Sequence, residues 1–234
     1  MHSIKRVFTT WNSLPGNWDA LHLGELFSSD NEWGIPTIAQ CLSLPAQLVQ
    51  WGSRPALQAV KPESNTAVHF FVDDYRFESL WRHPERNLDT ILHVGCALSP
   101  DFSLFRDMPL VMQMWNVYRN RWLGCYWQAQ GIEVIPTISW SKPHDFCYAG
   151  VEQGSVVAVS FVGIEHDQKA RYLFREGFEK MIAVLHPRKI LCYGKMPRDM
   201  QVENVVVFPT RWDGQKKKFD PLSDCASLWD WKEA

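Results

Sequence analysis

The stretch from Asp101 to Trp140 reads DFSLFRDMPLVMQMWNVYRNRWLGCYWQAQGIEVIPTISW, and its reading decides the fold. Its middle carries apolar residues at helical spacing. Val111, Met114, Tyr118, Trp122 and Cys125 recur at three- and four-residue steps and fall on one helical face. Asp107 stands just upstream, where a carboxylate can accept bonds from the free N–H groups of a helix start. Pro109 fits the first turn, because its missing N–H has no intrahelical partner there. Gly131 sits where a left-handed residue ends a helix. The run Ile132–Trp140 is then β-rich, through Ile132, Val134, Ile135, Thr137 and Ile138. Upstream, Thr90–Leu98 reads as a short buried strand. Strand, long helix and strand make a parallel crossover unit, which is right-handed in nearly all known cases.

The pattern continues outward in both directions. Residues Met1 to Glu32 look irregular, with Trp11, Trp18, Leu21, Leu23, Leu26 and Phe27 packing on the main body. Gly34–Ala39 reads as a first strand, Leu44–Trp51 as weakly helical, and Ser53–Thr66 as a loop. Ala67–Val72 (AVHFFV) is a strand ending in Asp73-Asp74, and Tyr75–Arg82 is a short helix stopped by Pro84. Beyond the central unit come a strand at Ser155–Val162, a helix at Lys169–His186 and strands at Lys189–Tyr193 and Val202–Phe208. Ser155–Val162 is so uniformly apolar that both of its faces are expected to be buried. Alternating strands and helices predict an α/β fold with a largely parallel sheet, either an incomplete barrel or an open three-layer sheet. The expected organisation is an N-terminal extension over 1–66, an α/β core over 67–208 and a Trp-rich tail over 209–234.

Composition narrows the function classes. With 234 residues and 46% apolar content the chain has room for a real core. A net charge of -2 gives no global basic field, so charge alone does not point to nucleic acid. The six cysteines are scattered, without a metal-type pair, and read as reduced, mostly buried thiols. There is no apolar signal core and no run long enough to span a bilayer, which suits a cytoplasmic protein with no membrane partner. Glycine-rich phosphate loops, GxGxxG, GxSxG, CxxC, HExxH and DxDxDG are all absent. The sequence names no cofactor and leaves a metal open.

Chemistry in a parallel sheet gathers beyond the carboxyl ends of the strands. That rule collects Asp73 and Asp74; Asp101, Ser103, Arg106 and Asp107; Ser139, Trp140, His144 and Asp145; Ser160 and His166; and Tyr193, Gly194 and Lys195. Asp101, Asp74 and His144 are the catalytic candidates, since carboxylates and imidazoles serve as acids and bases. Arg106, Arg119, Trp140, Ser160 and Tyr193 are the candidate ligand contacts, Arg106 and Arg119 for an anion. Each has a structural alternative: Asp107 as a helix cap, Asp101–Arg106 as a pair that ties down a loop, His144 as a solvated loop residue, and Arg119 and Arg121 as helix-surface residues paired with acids.

The central run, together with Phe146-Cys147, the VAVS of Val157–Ser160 and the YG of Tyr193-Gly194, resembles the domain of unknown function 4417, a family of phages, prophages and other bacterial mobile elements. The likeness extends over roughly Ala67 to Phe208. It implies a setting in phage or mobile-element biology and no particular activity, and it singles out Asp101, Arg106, Asp107, Arg119 and Arg121 for testing. The expected function is binding, with or without turnover, of a phosphate-bearing nucleotide or nucleic-acid ligand at the strand ends. The alternative is a non-catalytic protein that binds a host or phage protein through a Trp-rich surface.

Overall fold

The computed structural model describes residues 21–61, 63–164, 168–200 and 202–210. Seven strands follow one another along the chain: β1 (Gln47–Gln50), β2 (Thr66–His69), β3 (Cys96–Leu98), β4 (Glu133–Ile135), β5 (Val156–Ser160), β6 (Lys189–Tyr193) and β7 (Val205–Phe208). They form a four-stranded sheet, β1 to β4, and a three-stranded sheet, β5 to β7, both parallel and both in sequence order. The sheets meet just beyond β4. There Ile138 donates its N–H to the Ala158 carbonyl at 2.8 Å, and Ala158 donates to the Pro136 carbonyl at 2.9 Å. Between the strands lie helices α1 (Arg54–Gln58), α2 (Glu78–Arg82), α3 (Leu88–Val94), α4 (Leu110–Ala129) and α5 (Gln168–Leu185).

The two-residue period of each strand sorts its side chains between two environments. One alternate set, from every strand, converges on a shared interior: Leu48, Ala67, Leu98, Ile135, Ala158, Leu191 and Phe208. The other set faces the helices. Val49, Val68, Ala97 and Val134 join the cluster under α1 to α4, whereas Val157, Val159, Ile190 and Cys192 join the cluster under α5. One interior supplied by all the strands means that the sheets curve around it. The α/β architecture is therefore that of an incomplete barrel, with no pairing between β7 and β1 among the described residues.

Several elements differ from the sequence pattern. The expected strand over Thr90–Leu98 is helix α3 as far as Val94, then Gly95 at φ +81°, then a three-residue strand. Ile91 and Val94 bury while Leu92 is exposed, so the ILHV run obeys helical spacing that a short apolar stretch disguises. The weakly helical stretch Leu44–Trp51 holds strand β1, because it pairs with β2 over four residues. The expected loop after it contains α1, with Pro55 in its first turn. Gly34–Ala39 contributes a single bridge, Ile38 to Val151, rather than a strand. Trp11, Trp18 and the tail with Lys216–Lys218 lie outside the described residues.

Helix α4 ends as expected. The Ile132 N–H reaches the Trp127 carbonyl at 3.1 Å, the Gly131 N–H reaches Gln128 at 3.0 Å, and Gly131 has φ +87°. Its start differs: Pro109 is the N-cap, without a side-chain cap bond, and Asp107 is exposed. The second half of α4 is buried on all sides, because residues 22–39 cross its outer face. His22 stacks on Trp122 at 4.5 Å, the Trp122 Nε1–H donates to the Glu25 carbonyl at 2.8 Å, and Gln128 pairs with the Ala39 backbone at 2.9 and 3.0 Å.

On its inner side α4 carries polar residues that fix the strand ends. Arg121 is only 1% exposed and, among the described residues, has no carboxylate partner. Instead it donates to the carbonyls of Ala149 (3.0 Å), Thr137 (2.9 Å) and Cys147 (3.0 Å), and to Asn120 Oδ1 (2.6 Å). Asn120 donates in turn to the Pro100 carbonyl at 2.6 Å and accepts from Ser99 Oγ at 2.8 Å, and Ser99 Oγ accepts from the Thr137 N–H at 2.8 Å. The ends of β3 and β4 and the loop 145–150 are thus tied to one turn of helix. Burial pushes the Arg121 guanidinium down to about 10, still charged at neutral pH. Arg121→Met leaves three backbone carbonyls without this donor, and a loss of about 3 kcal/mol or more is expected in urea denaturation.

Trp140 closes the second sheet against α5. Its indole lies so close to Gly177 that a Cβ there would sit 2.1 Å from Nε1. Alanine improves helix propensity by about 1 kcal/mol, yet here the clash dominates. Gly177→Ala is expected to lower the unfolding free energy by roughly 1–3 kcal/mol, and an unchanged or raised denaturation midpoint would refute this packing.

Candidate functional site

The carboxyl ends of the strands open on a cavity of about 380 Å³. Six strands contribute to its walls or to the loops just beyond them: Gln50 from β1, Phe71, Val72, Asp73 and Arg76 after β2, Asp101 and Ser103 after β3, Ser160 and Val162 from β5, Tyr193 from β6 and Thr210 after β7. The remaining strand takes part indirectly, since the Ser139 side chain, beyond β4, lies close enough to act on the Asp101 carboxyl. The site lies where barrel-type and doubly wound sheets place theirs, because the loops there vary freely while the strands hold their bases still.

Asp101 is the distinctive group. Burial pushes its carboxyl up to about 7, the nearby charge of Asp74 pushes in the same direction, and the Ser139 side chain only partly opposes them. Asp74 is held differently: it accepts from the Ser103 backbone N–H at 3.0 Å and from Ser103 Oγ at 2.7 Å. The loop that carries Asp101 and Ser103 is pinned from below by α4. Asn116 Nδ2 donates to the Ser103 carbonyl at 2.7 Å, and Gln113 Nε2 donates to the Met108 carbonyl at 2.8 Å. Gln113, Asn116 and Asn120 are spaced at helical steps, so one face of α4 holds the whole loop.

Of the residues expected from the sequence, Asp101, Ser160 and Tyr193 line the cavity, and Asp74 is hydrogen-bonded to one of its lining residues, Ser103. Arg119 is buried instead, paired with Glu78 at 2.9 Å and with its guanidinium 4.0 Å from the Phe102 ring centre. Arg106 is exposed on the loop after Asp101 and is not among the lining residues. Trp140 packs on Phe174 at 5.0 Å, and His144 stacks on Phe146 at 5.4 Å, both away from the cavity.

Arg76, Gln50 and His69 were not foreseen. Arg76 lines the cavity two residues past Asp74, and its 3.6 Å contact with Asp73 is solvent-exposed and weak. His69, inside the strand AVHFFV, lines a second cavity of about 610 Å³ between β1 and the end of β7. It is 3% exposed, burial pushes its imidazole down to about 4, and the Phe71 N–H donates to Nδ1 at 3.3 Å. The imidazole is therefore neutral, with its proton on Nε2. Gln50, Tyr193 and Thr210 border both cavities.

The cysteines among the described residues are free; burial raises the thiol of Cys41 and pushes Cys96, Cys125, Cys147 and Cys192 up to about 12. No group of three or more His, Cys, Asp or Glu side chains suited to a metal occurs among the described residues. Among the same residues, no helix is long and apolar enough to cross a membrane.

Comparison with known proteins gives a consistent setting. The "Gene 1 protein" of Mycobacterium phage L5 is 43% identical over 221 residues, covering 93% of this chain and 96% of that protein. The "Gene 1 protein" of Mycobacterium phage D29 is 43% identical over 212 residues, covering 89% of this chain and 78% of that protein. No solved structure matches. The model of the domain of unknown function 4417 matches residues 27–213, which takes in every strand and helix described above. The chain belongs to that family, the one its central run and strand ends resemble.

Proposed function

We propose that the cavity at the barrel mouth binds a phosphate-bearing nucleotide or nucleic-acid end, with Asp101 as the group that exchanges a proton with it. The observation that carries this reading is the Asp101 carboxyl itself, set on the cavity wall and raised to about 7. A general acid–base works best when its pKa lies near the working pH. Arg76 is the cation of the cavity and takes the role of anion contact for which Arg106 was the sequence candidate. Tyr193 and Ser160 supply hydroxyls on the facing wall.

A second reading, docking of a host or phage protein, has its own observation. Phe105 is 59% exposed, and Leu110, Val111 and Met112 at the start of α4 are 48%, 72% and 51% exposed. Contiguous apolar side chains of this kind mark contact surfaces. If they do so here, Val111→Asp abolishes capture of a host or phage protein on the immobilised chain; capture that survives the substitution discards this surface.

For the first reading, titration calorimetry with nucleoside triphosphates and a short 5′-phosphorylated oligonucleotide is the direct test. Arg76→Ala is expected to weaken binding roughly tenfold, and Asp101→Asn to abolish any turnover. Binding and turnover indifferent to both substitutions would sink the reading.

The raised Asp101 pKa also predicts a pH dependence of stability. Between the unfolded value of 3.8 and the folded value of about 7, the native state binds more protons than the unfolded one. Stability is therefore lost as pH rises through that window, by at most roughly 4 kcal/mol. Asp101→Asn removes the loss, so its melting temperature is expected to exceed the wild type's at pH 8 and to converge with it near pH 4. Parallel melting curves across the range would show that Asp101 ionises normally.

A further inference from the structure

A basic cavity lies beside the Asp101 cavity, on the same two loops. It has a volume of about 730 Å³ and is lined by Ile164, Arg171, Lys195, Met196, Pro197, Arg198 and Asp199. The end of β5 and the loop after it place Ser160 and Val162 in the first cavity and Ile164 in the second; the end of β6 and the loop after it place Tyr193 in the first and Lys195 in the second. Two residues of chain span at most about 7 Å, so the cavities are immediate neighbours.

Its charge is unlike that of the molecule as a whole, which is net -2. Three cations meet one carboxylate on the lining. Arg171 donates to Asp199 Oδ1 at 2.7 Å, and Arg175, one turn further along α5, is paired with Glu179 at 2.9 Å. Lys195 and Arg198 are exposed and, among the described residues, have no carboxylate within salt-bridge distance. Tyr172, adjacent to Arg171 on the first turns of α5, is 67% exposed. Cations that have no carboxylate partner among the described residues, with an exposed ring one residue along the chain from the lining Arg171, are the elements with which proteins hold a single nucleic-acid strand: charge for the backbone, a ring face for a base.

We infer that the Lys195–Arg198 cavity binds the phosphate groups of a single-stranded nucleic acid whose terminal nucleotide reaches Asp101. This rests on the proposed role of the Asp101 cavity and adds a second contact to it. The shared chemistry is a phosphate ester, which a strand or a free nucleotide can supply.

The test is fluorescence anisotropy of a 5′-phosphorylated oligothymidylate with the full chain, with ATP and inorganic phosphate as competitors. Lys195→Ala/Arg198→Ala is expected to weaken binding at least about tenfold and to make the slope of log affinity against log salt shallower by about 1.4, the value for two lost phosphate contacts on a single strand. Both side chains are exposed, so the melting temperature should not move; Arg86→Ala, an exposed cation outside the cavity, serves as control. Tyr172→Ala should weaken the oligonucleotide and leave phosphate competition unchanged. Competition by ATP at the oligonucleotide's own affinity would assign the site to a free nucleotide and overturn the strand. Displacement by inorganic phosphate alone, or a double variant that binds like the wild type, would overturn the site itself, as would a wild-type chain that binds neither ligand. Arg76→Ala in the same titration separates the two readings. Loss only in Arg76→Ala leaves the cavity reading standing and removes this one; loss only in the double variant keeps the phosphate contact but overturns the placing of the terminal nucleotide at Asp101.

Discussion

The buried Arg121 guanidinium is the constraint on which the rest of the structure depends. A charge inside a protein is costly unless its donors are all matched. Here the matching groups are main-chain carbonyls of Thr137, Cys147 and Ala149 and the Asn120 side chain. Those carbonyls sit at the end of the first sheet and in the loop that leads to the second. The residues that satisfy Arg121 are thus the ones that bring the sheets together, at the Thr137–Ala158 bridge. An apolar side chain of equal size would fill the space and leave three carbonyls without this donor, and that is why the position needs a fork of donors.

The same network carries rigidity to the cavity. Asn120 fixes Pro100, the residue before Asp101, and Asn116 fixes Ser103, two residues after it. The backbone around Asp101 is therefore held from both sides by one helix. Asp74 takes the bonds that Ser103 offers. Two carboxylates near each other with unequal surroundings divide their roles: one accepts hydrogen bonds, and the other is left to bind or release a proton near neutral pH. The cations fall on the other loops, Arg76 after β2 and Lys195 and Arg198 after β6, so carboxylates and cations occupy neighbouring sectors of one mouth.

Much of this was legible in the sequence. The two long helices follow from periodicity, because each is long enough for a 3.6-residue period to show, the first one's end from Gly131, and the strands at Lys189–Tyr193 and within Ser155–Val162 from their apolar runs. The short elements were not. ILHV before Gly95 and the QLVQ of β1 are too brief for their period to be read, and a neighbouring strand or a left-handed glycine decides them. For the candidate site, the carboxyl-end rule gathered Asp101, Ser160 and Tyr193, which line the cavity, and Asp74, which is bonded to the lining residue Ser103. It also gathered Trp140 and His144, which follow a strand end yet turn away to pack on Phe174 and Phe146. Arg119 looked like a surface cation, and its burial against Glu78 and Phe102 depends on a helix forty residues upstream.

By itself the sequence determined the α/β alternation, the parallel sheet and the order of the strand ends, because these depend on local periodicity and on the handedness of the crossover. Only the tertiary structure decided that the sheets curve around one interior without closing and that a charged Arg121 lies at their junction. It alone set Asp101 in surroundings that raise its carboxyl to about 7. These depend on burial and on partners remote in sequence, and neither is encoded in the spacing of residues along the chain.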